Sequence, residues 1–96
     1  MKLQALAFAS LLASSTAFAA CEKPAIPVLP DPETAVTAQM IKAKNEIKSF
    51  IAMAEAYLAC IEEADVESYN LMVEEMQKAA EDFNGIVRKY KTRMSG

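Results

Sequence analysis

The chain contains no histidine, no tryptophan and only two glycines, Gly85 and Gly96. Without histidine it lacks the commonest metal ligand and the usual general base near neutral pH. Ser49, Ser68 and Ser95 then have no base and orienting group indicated by the sequence, so no catalytic residues are expected and the chain does not read as an enzyme. A dense basic stretch is also missing. Ten Lys and Arg against thirteen Asp and Glu give a formal net charge of -3, which makes nucleic acid an unsuitable partner. Beyond the N-terminus there is no second long apolar run, so no further membrane span is expected.

What is present begins with a leader. Met1-Lys2 carries one positive charge, Leu3 to Ala13 is apolar, and Ala17-Phe18-Ala19 puts small residues at the two positions a signal peptidase inspects. These features predict a signal peptide over residues 1–19 and a periplasmic or secreted product. The segment is interrupted by Gln4, Ser10 and Ser14 and is shorter than the roughly 20 strongly apolar residues that cross a bilayer. An alternative reads Phe18-Ala19-Ala20 as a lipoprotein box and Cys21 as the acylated first residue, although Phe18 stands where Leu is usual. The two readings differ over the cysteines. In an oxidising compartment, Cys21 and Cys60 favour a disulfide. Their wide spacing suits a structural bridge better than a C-x-x-C redox pair.

Residues 20–36 read as an extended arm, because Pro24, Pro27, Pro30 and Pro32 fix φ and bias their predecessors away from helix. Its apolar residues Ile26, Val28 and Leu29 are available to cover a partner surface. From there the apolar spacing becomes helical. Met40, Ile47, Ala54 and Ile61 form one row, Ala43, Phe50 and Tyr57 a second, and Ile51 and Leu58 widen the stripe. Thr34 or Thr37 is the expected cap. A second pattern runs Tyr69, Met76, Phe83 and Tyr90, with Met72, Ala79 and Ile86 beside it.

The second pattern is displaced by one residue from the first, which in a continuous helix would turn the apolar face by about 100°. The stripe is therefore expected to break near Glu62 to Val66, with Asp65 as a cap and Glu67 in the first turn. That stretch holds neither Gly nor Pro, which keeps one long helix in a dimeric coiled coil as the alternative. Asn84-Gly85 interrupts neither the period nor the expected helix. The fold class is thus all-α: a two-helix antiparallel hairpin over residues 37–96, with helices about 37–63 and 66–93, and an extended Pro-rich arm stapled to it by the disulfide. About fifteen arm residues at roughly 3.1 Å each span some 45 Å, enough to run back along a helix rise of about 35 Å from its start to Cys60.

Two other features invite a chemical reading. Met72 and Met76 lie one helical turn apart and thioether pairs bind Cu(I), but both belong to the core stripe. Glu62, Glu63, Asp65 and Glu67 cluster at the expected tip without the spacing or Gly of a calcium loop. No metal or cofactor is expected. Charge placement is more telling. Lys42, Lys44 and Lys48 begin the first helix and Arg88, Lys89, Lys91 and Arg93 end the second, so a hairpin gathers them at its open end as a candidate contact surface. Asp31, Glu33 and Glu46 soften that end.

The run Cys21-Glu22-Lys23-Pro24, the spaced prolines and Tyr57-Leu58-Ala59-Cys60 together resemble small exported bacterial helical proteins with two cysteines. The resemblance covers most of the chain beyond the leader and implies an exported helical protein, with no active site. The expected role is a non-enzymatic structural or protein-interaction module. Another envelope protein is the expected partner, with membrane-surface contact and a homodimer as further contacts the chain admits. A lipid-anchored lipoprotein and a small-molecule or Cu(I) carrier are the alternatives.

Overall fold

The computed structural model describes residues 21–61 and 65–96; the expected leader, and Glu62 and Glu63 of the expected acidic tip, lie outside the described residues. Two helices account for most of what is described, α1 (Thr37–Ile61) and α2 (Val66–Ser95). The Thr37 hydroxyl, at the start of α1, lies 2.7 Å from the Tyr90 hydroxyl, near the end of α2. The helices therefore pack antiparallel, as a hairpin. α2 passes through Gly85 without a break and ends at Ser95, slightly beyond the expected limit.

Local polar groups set the helix ends. Asp31 organises the turn before α1: its carboxylate accepts the Glu33 N–H at 2.9 Å, and its carbonyl accepts those of Thr34 and Ala35 at 3.2 and 2.9 Å. The Gln39 side-chain oxygen then reaches back to the Val36 N–H at 3.0 Å, the glutamine half of a capping box. Neither Thr34 nor Thr37 caps: Val36 holds the cap position, its carbonyl accepting from the Gln39 and Met40 N–H groups, and the Thr37 hydroxyl is used across the hairpin. α2 starts as its sequence suggests. The Asp65 side chain accepts from the Ser68 N–H at 3.1 Å and the Ser68 hydroxyl at 2.7 Å, with Glu67 in the first turn.

The core consists of Ile47, Phe50 and Ala54 from α1 against Met72 and Ala79 from α2. Phe50 and Met72 are fully enclosed, each worth about 1.5–3 kcal/mol by transfer from water. Burial is unequal between the helices. α1 buries Met40, Ala43, Ile47, Phe50 and Ala54, whereas α2 buries only Met72 and Ala79. Tyr69, first in the expected row of α2, remains 37 % exposed, and the stripe is centred on Met72 and Ala79 instead.

The arm accounts for part of this inequality. A Cys21–Cys60 disulfide, with Cα atoms 5.5 Å apart, holds its start against the far end of α1, a separation ordinary for such bridges. Lys23 Nζ ion-pairs with Glu75 at 2.9 Å, and Leu29 packs against the core cluster. The three expected apolar contacts are not equivalent: Ile26 is 50 % and Val28 90 % exposed. Lys23 and Leu29 face the helices, and Ile26 borders the groove beside α2. Val28 is on the other side.

Candidate functional site

The seven cations expected at the open end are placed by the structure in three different circumstances. Arg93 is structural. Its guanidinium donates to the Glu33 carbonyl at 2.8 Å and to the Ala35 carbonyl, and lies 5.4 Å from the centre of the Tyr90 ring. Through Tyr90 and Thr37 this one side chain ties the arm's turn, α1 and α2 together. The sequence offered the charge but no sign that backbone carbonyls would consume it.

Lys42, Arg88 and Lys89 form a second set. Lys42 pairs with Glu46 at 2.7 Å on an exposed face and borders the groove between α1 and the arm residues Ala25 and Pro27. Arg88 and Lys89 line a shallow depression with Pro32, Glu33, Thr92 and Arg93. Here the turn, fixed by Asp31 and Arg93, sits beside two exposed basic side chains. Lys44, Lys48 and Lys91 are the third set. At 100° per residue Lys44 lies about 200° around α1 from Lys42, and Lys91 the same angle around α2 from Lys89. They belong to the opposite flank of the hairpin, away from the arm.

At the other end, Asp65, Glu67 and Glu74 are exposed, while Glu75 is engaged by Lys23. The two hydrogen bonds from Ser68, its hydroxyl foremost, hold the Asp65 carboxyl below its ordinary pKa. The paired carboxylate of Asp82, 2.8 Å away on the exposed face of α2, raises the Lys78 ammonium above its own. Among the described residues no His, Cys, Asp or Glu are grouped so as to hold a metal ion. Met72, one half of the thioether pair noted in the sequence, is fully buried in the core with Met76 packed against it. Both thioethers are thereby engaged in packing.

The described helices include none long and apolar enough to cross a membrane. The Cys21 sulfur is bonded to that of Cys60. Comparison with known proteins finds no matching family model, no similar curated protein and no similar solved structure.

Proposed function

We propose that this chain is a small exported, periplasmic, non-enzymatic interaction module whose open end presents a fixed basic surface to an acidic patch on another envelope protein. The observation that supports the reading best is the depression lined by Arg88 and Lys89. Arg93 fixes the turn that walls it, so the two exposed cations stand on a rigid base and not on a loose terminus. Rigidity matters because ordering long basic side chains on binding costs about 0.5–1.5 kcal/mol each, and a fixed frame avoids adding a backbone term. Export is supported by the leader-like Met1 to Ala19 segment and by a disulfide of the kind that persists in oxidising compartments.

Site-specific photocrosslinking in the intact envelope tests the reading. A photoreactive residue at position 88 or 89 is expected to give one discrete protein adduct that is lost at raised salt, while the same residue at position 74 gives none. Equal labelling from all three positions, or adducts to lipid alone, overturns it. Intact mass with alkylation, before and after reduction, checks cleavage after Ala19 and the absence of an acyl group.

A further inference from the structure

The arm covers only one flank of the hairpin. Lys23 pairs with Glu75 and Leu29 packs against the core cluster, and the arm lines grooves with Glu46, Phe50, Met53 and Tyr57 of α1 and with Ala79, Asp82 and Ile86 of α2. Turning each helix by its 100° repeat brings a different set to the other flank. On α2 these are Val73, Ala80 and Val87 at heptad spacing; Met76 and Phe83, and Ile51 and Leu58 on α1, form the band's inner edge, where they also pack against the core. All are half-buried in the chain alone. No arm residue among those described covers them. This apolar band is the remainder of an α2 stripe wider than one helix can bury.

The charges beside the band show what fits it. On α1, Lys44 and Lys48 border its basic half and Glu55 its acidic half, all three exposed and without an ion partner among the described residues. Lys48 and Glu55 are a heptad apart, with Ile51 midway between them. A two-fold axis across the band at Ile51 therefore sets Lys48 of each copy opposite Glu55 of the other. The same operation carries Lys91, at the open end, towards the Asp65 and Glu67 end of the partner copy. A parallel arrangement instead brings the two basic ends together and leaves Lys48 without an acidic partner.

We infer that this chain forms an antiparallel homodimer, two hairpins packing band to band as a four-helix bundle, with reciprocal Lys48–Glu55 pairs flanking the axis. The arms lie on the two outer flanks. Helices in such bundles pack about 18–20° from antiparallel with heptad-spaced residues in the seam, which is the spacing of Val73, Ala80 and Val87 here. Closed two-fold symmetry uses the same patch on both copies. The inference does not depend on which compartment holds the protein or on what the basic end binds.

Sedimentation equilibrium of the oxidised protein, purified as the cell makes it, is the test. A dimer is expected at micromolar concentration. Lys48→Glu or Glu55→Lys each raises the dissociation constant by about tenfold, from the loss of two exposed pairs and their replacement by repulsion. Combining the two restores it to within about threefold, and added salt reduces the contrast. Ala80→Lys, placed in the band, gives a monomer with unchanged helical circular dichroism. Should that variant unfold, the reciprocal charge exchange still decides. A monomer at every concentration overturns the inference, as does a dimer indifferent to the exchange or a complex holding a different protein on the band.

Discussion

α1 and α2 carry apolar stripes of similar length, yet the shorter helix is the better buried. α1 packs against α2 and, on one flank, against the arm, and Met40, Ala43, Ile47, Phe50 and Ala54 are all enclosed. α2 receives the arm along one edge only, and its widest row stays half-open. Apolar content alone therefore does not decide how deeply a helix is buried. In a molecule this small, the number of neighbours does.

Removing the staple tests that contrast most severely. Cys60→Ser opens a loop of sequence separation 39, for which the chain-entropy account gives a loss of about 4 kcal/mol. Chemical unfolding should register that loss. Amide exchange should accelerate at Glu46 to Tyr57 and at Glu75 to Ile86, the stretches of the two helices that border the arm. Equal unfolding midpoints with and without the bridge contradict the account.

A gentler probe compares two neighbours on the arm. Leu29→Ala is expected to cost about 1–2 kcal/mol, less than the roughly 2–5 kcal/mol of a fully buried leucine because the side chain is only half-buried. Val28→Ala should cost close to nothing, since Val28 is 90 % exposed. Similar costs at the two sites would mean that the arm does not lie as described. On α2, a methyl group at Gly85 meets nothing closer than the Arg88 guanidinium at 3.8 Å, an ordinary contact. Gly85→Ala should thus stabilise by about 0.5–1 kcal/mol through helix propensity, readable as a raised Tm.

The smallest expected effect concerns the start of α2. Because Asp65 is held below its ordinary pKa by Ser68, its contribution is full above the ordinary carboxylate value and disappears as pH falls through the lowered one. Asp65→Ala should lower Tm at neutral pH, and the gap from the parent protein should close in strong acid. A gap that widens with acidification has the wrong sign. Lys42, paired on an exposed face, offers a control with little effect on stability.

Much of this architecture was legible in the residues. The heptad rows, the one-residue displacement between them and the acidic cap at Asp65 point to two helices and the break, and the Cys21–Cys60 bridge, expected of two cysteines in an oxidising compartment, lies within the arm's reach. What escaped depends on choices that composition does not encode. Either Thr34 or Thr37 has the chemistry of a cap, but only the path of the chain reveals that Val36 stands at the cap position and that the Thr37 hydroxyl turns to Tyr90. Ile26, Val28 and Leu29 are equally apolar, and their order of burial follows from the side of an extended chain on which each falls. The basic end was foreseen as one cluster. Helical angle divides it between two flanks, and Arg93 leaves it to bind carbonyls.

The bridge also makes the arm and nearly all of α1 a single closed ring, from which α2 departs as a tail. A protease that nicks the exposed arm near Val28 therefore releases nothing, and the two pieces stay joined until the sulfurs are reduced. A cut beyond Cys60 has no such safeguard. Damage tolerance is accordingly built into the first half of the molecule and absent from the second, and gels run with and without reductant should reveal on which side of Cys60 each cut was made.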